Sequence, residues 1–161
     1  MAADANYCYS FEVNILPVKD TYHRLYRISK ALGSVTEMKN VVSEIDKTQV
    51  SDENKVKLSH ANDVALATFG GKNYMYVATL YTKEIVKLGY DSSGKYWYEA
   101  SYGYTLSGQG FNGLSLMDNT DPYEIKFLAQ ADNKFYTIII SRSNNGTASA
   151  PVPAFTIDSL D

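Results

Sequence analysis

Cysteine is nearly absent from this chain of 161 residues, which has only Cys8. A single thiol forms no intrachain disulfide and supplies no multi-cysteine metal site, so both kinds of framework are excluded. Cys8 lies between two tyrosines in a strand-like run, which favours a buried, unreactive thiol over a nucleophile. We predict neither a metal site nor a cofactor.

Long apolar runs and basic clusters are also missing. No apolar stretch approaches the roughly 18–20 residues that span a membrane. The first ten residues lack the basic and apolar regions of a signal peptide. The net charge is −3, and no basic run exceeds two residues. This distribution argues against a surface for nucleic acids or anionic membranes.

Sequence signatures of catalysis are lacking too. The chain has no phosphate-binding loop and no His-Glu-x-x-His motif. Its two histidines, His23 and His60, have no cysteine at a spacing typical of nucleophilic catalysis. A non-catalytic function is therefore favoured. The alternative is a glycan-acting enzyme, or a fragment of one, in which His60 and Asp63 serve as acid–base groups.

Tyrosine is abundant, with 14 residues, and it favours strands and wet binding surfaces. Short alternating runs separated by Gly, Asp, Asn and Ser turns predict antiparallel hairpins. The predicted strands cover residues 6–16, 23–29, 63–69, 74–80, 84–90, 96–102, 111–117, 123–130 and 134–141. The tail, residues 146–161, is typical of a linker, with a last strand predicted near 156–160.

The stretch around residues 34–47 has two interpretations. Ser34 and Glu37 match a helical capping box, and apolar residues then recur at helical spacing. The competing interpretation is an outer strand, which an all-β fold favours.

An internal repeat organises the middle of the chain. Asn62, Val64 and Leu66 are matched 50 residues later by Asn112, Leu114 and Leu116. Each copy is followed by a turn and a strand, and the N-terminal part gives a third, partial copy. Four antiparallel strands in roughly 40–50 residues are typical of a propeller blade. The blade-like units are predicted at about residues 6–58, 59–106 and 107–145 of a single β domain.

The stretch 60–98 resembles one blade of bacterial β-propeller repeat proteins. The matching motifs are His60-x-Asn62-Asp63, the strand Tyr76–Thr79 and the segment Ile85–Tyr96. The layout of residues 90–97 is also similar to the blades of small fungal and bacterial propeller lectins. The second unit lacks the histidine and has Gly113 where Asp63 stands. The resemblance implies a propeller architecture.

We therefore predict an all-β fold of propeller-like, four-stranded antiparallel blades. A closed propeller needs about four to eight blades, whereas this chain has two clear units and part of a third. The ring is thus either partial, as part of a longer chain, or completed by a homo-oligomer. The alternative is a closed β-barrel or sandwich with one helix near 35–46.

In a propeller the starts of the inner strands surround the central channel. His60, Asn62, Asp63 and Asn112 are therefore predicted to converge there and to bind a sugar, a cation or a polar peptide. The alternative is structural: Asn62 and Asp63 bond to the backbone in Asx turns, and His60 bridges loops.

Aromatic side chains suggest a second contribution to binding. Alternate residues of a strand share a face, so Tyr96, Tyr98 and Tyr102 are predicted to project together and to stack on sugar rings. The alternative is ordinary packing within the sheet. The leading hypothesis is a non-catalytic carbohydrate-binding module, with an extracellular or cell-surface location slightly favoured. The remaining alternative is a scaffold that self-assembles or binds partners through its sheet edges.

Overall fold

The computed structural model describes residues 1–12, 22–41, 55–58, 60–143 and 148–156. Within these ranges the chain forms fourteen strands and no helix, so the all-β prediction is confirmed. No helix long and apolar enough to cross a membrane occurs in this part of the chain. The strands form three separate sheets, and none of the three closes into a barrel. The closed barrel, given as an alternative, is therefore wrong.

The first sheet is an antiparallel meander with one added strand. Tyr9 and Leu25 on its two central strands are buried, because their side chains share the face that meets the next sheet. The meander order is β1 (Ala2–Ala3), β2 (Tyr7–Phe11), β3 (Tyr22–Ser29) and β4 (Val35–Glu37). The added strand, β6 (Lys55–Lys57), pairs with the beginning of β3.

The second sheet is also a meander with one added strand. A two-residue turn, Gly70-Gly71, joins its first two strands, and both glycines have positive φ, as such tight hairpins require. The meander consists of β7 (Ala61–Phe69), β8 (Lys72–Thr79), β9 (Glu84–Tyr90) and β10 (Lys95–Gly103). The short strand β5 (Lys39–Asn40) pairs in parallel with the beginning of β10.

The third sheet is a plain four-stranded meander. It consists of β11 (Gly113–Asp118), β12 (Glu124–Ala131), β13 (Lys134–Ser141) and β14 (Val152–Thr156). The last strand lies in the tail that was interpreted as a linker, and that interpretation is wrong for these residues. Pro153 is tolerated in β14 because this strand pairs on one side only, with β13.

The ambiguous segment after Gly33 is extended as far as the structure describes it. Val35–Glu37 pairs with β3, and Lys39–Asn40 pairs with β10. A helix beginning at residue 35 is therefore wrong, because sheet pairing outweighs the local capping signal. Residues 42–46 of the predicted helix lie outside the described residues.

The second sheet lies between the other two. Successive side chains along its strands therefore point into two different cores. Val64, Met75 and Leu88 contact residues of the first sheet, whereas Ala65 and Tyr76 belong to the core shared with the third sheet. The first strands of the three sheets are neighbours, since β7 contacts both β1 and β11. Antiparallel sheets are thus established, and a propeller ring remains a prediction.

The central strands of the first two sheets share one arrangement of side chains. In the first sheet, Arg27 pairs with Tyr9 and its guanidinium lies 4.7 Å from the Tyr7 ring centroid. In the second, Lys87 pairs with Tyr76 and its ammonium lies 4.0 Å from the ring centroid of Tyr74. The same cation–aromatic arrangement therefore recurs at matching positions.

Candidate functional site

Asp63 lies where the first strands of all three sheets meet. Its Oδ1 accepts a hydrogen bond from the Val64 N–H at 2.9 Å, and its Oδ2 accepts one from the Leu114 N–H at 3.0 Å. The Met1 ammonium, next to β1, lies 3.6 Å from Oδ1. This carboxylate therefore links β7 to β11 and is oriented by charge toward β1.

Asn62 makes a second link between β7 and the start of β11. Its Nδ2 donates to the Phe111 carbonyl at 3.2 Å. The register shifts between Ala61 and Asp63, a β-bulge at Asn62, and such bulges redirect side chains. The Asn112 side chain is exposed, so the two repeated asparagines have different surroundings. These contacts support the structural interpretation of Asn62 and Asp63.

His60 lies at the start of β7, against the turn between β8 and β9. Its ring centroid is 5.8 Å from that of Tyr81, and its carbonyl accepts the Leu80 N–H at 3.0 Å. His23, the other histidine, is fully buried in the first sheet, with Nδ1 2.6 Å from the Glu12 carbonyl. The two histidines therefore lie in different parts of the fold.

The prediction that three tyrosines of β10 project together is wrong. Tyr96 is buried in the core between the first and second sheets, and Tyr102 is buried in the core between the second and third. Tyr98 is 57% exposed. The cause is a β-bulge between Tyr98 and Ala100, where the register shifts and the alternation of faces is reversed.

Buried tyrosines elsewhere serve as hydrogen-bonding core residues. Tyr104 accepts the Phe111 N–H at 2.8 Å through its hydroxyl oxygen, and burial raises the pKa of Tyr104 to about 12. Tyr9 donates to Asp4 Oδ2 at 2.6 Å. Burial alone raises the pKa of Asp4, but hydrogen bonds led by that of Tyr9 outweigh it, and the pKa is lowered. Much of the tyrosine content is therefore structural.

Three cavities border Asp63. One, of about 250 Å³, lies against the third sheet beside Leu128 and Phe135, and the other two lie at the first strands. The first of these two has a volume of about 120 Å³ and lies between the first and second sheets, beside Ser10, Phe11 and Asn62. The second has a volume of about 360 Å³ and is lined by the first strands of all three sheets, namely residues 1–3, 63–66 and 114–116. Sequence reasoning missed Ser10 and Ser115, because Ser10 belongs to no motif and the repeat matches Ser115 with an alanine, Ala65.

No cluster of three His, Cys, Asp or Glu side chains that could hold an ion occurs in the described ranges.

Comparisons with protein-family models, with curated proteins and with solved structures gave no match.

Proposed function

We propose that this chain is a non-catalytic binding module of the propeller type, which holds a carbohydrate or a similar polar molecule where its first strands meet. The observation that carries this proposal is the position of Asp63. It joins β7 to β11 and borders the two cavities at the first strands. In a propeller the first strands of the blades surround the central channel. A ligand there contacts several sheets at once.

The chemistry of the two cavities suits a sugar. Hydroxyl and amide groups of Ser10, Asn62 and Ser115 lie beside the apolar side chains of Phe11 and Leu116. A sugar has polar edges and apolar C–H faces, so this mixture matches it. The larger cavity, at about 360 Å³, falls within the roughly 300–1,000 Å³ typical of small-molecule sites. Since backbone N–H groups hold Asp63 in place, its carboxylate is preorganised for binding.

Titration of the full chain with a panel of neutral mono- and disaccharides, followed by amide NMR shifts, tests this proposal. We expect shifts in residues 61–66 and 114–116. Asn62→Ala should weaken binding about tenfold, the effect of losing one good hydrogen bond. Tyr98→Ala, on the outer strand β10, is the matched control and should leave the affinity unchanged. Circular dichroism of both variants checks the fold.

The two variants separate two locations for the ligand. If binding disappears in Tyr98→Ala and persists in Asn62→Ala, the ligand lies on β10 and the proposed location is wrong. If no sugar in the panel shifts any amide, the carbohydrate proposal is rejected.

A ring of sheets would complete this site. The described part of the chain has three sheets, and propellers need about four to eight. We propose that a homo-oligomer supplies the remaining sheets. Such an assembly also covers the outward faces of the first and third sheets.

A further inference from the structure

We propose that two copies of this chain associate head to tail, with the third sheet of each docked on the first sheet of the other, closing a ring of six sheets. The inference rests on the proposed propeller-type function. It goes further, because it specifies the two contacting faces, the residues that meet and the number of copies.

The second and third sheets each have one face that points toward the sheet before it in the chain. In the second sheet this face has the cross-strand pair Met75 and Leu88, and in the third sheet the matching pair is Phe127 and Ile138. All four side chains are fully buried. The second and third sheets are therefore covered on this face by the sheet that precedes each of them.

In the first sheet no element of the described ranges covers the same face. Its matching pair is Cys8 and Ile28, which extends to Val35 on β4. Cys8 and Ile28 are only partly buried, and Val35 is 64% exposed. This row of three is apolar, like its counterparts, whereas Ser10, Tyr26 and Glu37 beside it on the same face are polar.

The opposite face of each sheet points toward the following sheet. In the second sheet Tyr76 and Ile85 lie on this face and are buried against the third sheet. The matching residues of the third sheet, set by the registers of β8 with β9 and of β12 with β13, are Leu128 and Phe135. Both are only partly buried, and they line a cavity of about 250 Å³. The third sheet therefore has two large apolar side chains on a face that also contains Lys126 and Gln130, and no following sheet lies on that face in the described ranges.

These two faces, which no described sheet covers, match the two sides of the sheet-to-sheet interface that occurs twice within the chain. Within the chain, the Phe127 ring of the third sheet packs 4.9 Å, centroid to centroid, from the Tyr76 ring of the second. By its position in the strand register, Cys8 of the first sheet is equivalent to Phe127 of the third sheet. In the same way, Leu128 of the third sheet is equivalent to Tyr76 of the second sheet. The same packing between copies therefore places Cys8 of one copy against Leu128 of the other.

The number of copies follows from closure. A head-to-tail contact forms a ring when its rotation closes and an open filament when it does not. With three sheets in each copy, two copies give six sheets, within the roughly four to eight of known propellers, whereas three copies exceed that range. Closure by two copies also places a second Asp63 across the axis, so both chains contribute to the ligand cavity.

Light scattering of the full chain over a concentration series, with variants of both faces, tests the dimer. Val35→Arg alters the face of the first sheet and Leu128→Asp that of the third. Leu32→Asp, at a residue 83% exposed in the turn after β3, is the matched control. We expect the mass of two copies for the wild type and a dissociation constant at least about tenfold higher for each face variant. The control should stay within about twofold of the wild type.

A wild-type chain that remains monomeric at every concentration overturns the proposal. So does a dimer that neither face variant weakens, or a growing filament in place of a discrete dimer. Circular dichroism and thermal melting establish that the variants fold. Since Val35 is exposed, Val35→Arg keeps the test decisive even if Leu128→Asp unfolds.

Cross-linking tests the predicted register. Leu128→Cys, treated with a short bis-maleimide, should give covalent dimers through the native Cys8. The double variant that also contains Cys8→Ser should give none. Tyr123→Cys, at an exposed residue just before β12, is the reactivity control. Equal cross-linking of Tyr123→Cys and Leu128→Cys contradicts the register.

A dimer that binds no sugar rejects only the ligand proposal, and a sugar-binding monomer rejects only the dimer proposal.

Discussion

The two interfaces between sheets are joined in different places. The second and third sheets are linked at their first strands, where Asn62 and Asp63 bond to Phe111 and Leu114. The first and second sheets are linked mainly at the outer side, where β5 pairs with β10 and Arg27 donates to the Ser92 carbonyl at 2.7 Å. The strand pattern therefore repeats, while the polar links that fix each pair of sheets do not.

The apolar content of the two interfaces differs as well. Six buried aromatic rings pack among small alanines between the second and third sheets, and Phe111 stacks on Tyr104 with a centroid distance of 4.3 Å. Aliphatic and methionine side chains such as Leu25, Met38 and Met75 prevail between the first and second sheets. Rings bury more area for each residue. We therefore expect the second and third sheets to be held together more strongly.

The largest expected effect comes from removing one ring from the stronger interface. Phe111→Ala should lower the free energy of unfolding by about 3–5 kcal/mol, because Phe111 is fully buried and truncation leaves a cavity. Leu25→Ala, the counterpart in the weaker interface, should cost about 2–4 kcal/mol. Urea unfolding measures both. Met117→Ala, at an exposed position, should change the free energy by less than about 0.5 kcal/mol. If Leu25→Ala costs more than Phe111→Ala, the ranking of the interfaces is reversed.

An intermediate effect is expected at the polar link between β7 and β11. Asp63→Ala leaves the Leu114 N–H without its acceptor and should cost about 1–3 kcal/mol. Asp63→Asn keeps one acceptor oxygen and should cost less. Hydrogen exchange measured by NMR should show faster exchange of the Leu114 amide in Asp63→Ala. Unchanged protection of that amide would show that Asp63 does not join these strands in solution.

The smallest effects concern the two matching cation–aromatic pairs. Lys87→Met should cost about 1 kcal/mol, because Lys87 also pairs with Glu99 at 2.8 Å, and a partly buried carboxylate is left without its cation. Arg27→Met should cost about 0.5–1 kcal/mol through loss of the Tyr7 contact and of one hydrogen bond. Thermal melting of both variants, side by side, makes the comparison. A larger loss for Arg27→Met would show that the link to Ser92 contributes more than the ion pair.

Strand positions were the part of the fold that sequence reasoning predicted well. The segments 84–90 and 134–141 were predicted with the bounds that β9 and β13 have in the structure. Both are alternating runs bounded by turn residues, and both lie inside a sheet, where local pattern and tertiary pairing agree. The offset repeat also predicted that β7 and β11 have equivalent places, and each is the first strand of its meander.

The remaining features depend on contacts between distant residues. The bulge in β10 leaves no mark in the sequence, so Tyr102 was wrongly predicted to share a face with Tyr96 and Tyr98. The tail that contains Pro151 and Pro153 was interpreted as a linker, yet Pro153 lies in β14, and an edge strand tolerates its missing N–H. The bond from Leu114 to Asp63 spans 51 residues. No local pattern in the sequence indicates that this carboxylate joins two sheets.

The short strand β5 has a consequence for how the chain avoids aggregation. It comes from the segment directly after β4. It covers the beginning of β10 through the Lys39–Lys95 and Asn40–Tyr96 pairs. Farther along, the bulge after Tyr98 disrupts the regular edge of the strand. Exposed edges rich in aromatic residues recruit strands from other molecules. Since the segment with β5 is synthesised first, it is ready to shield β10 as soon as that strand emerges.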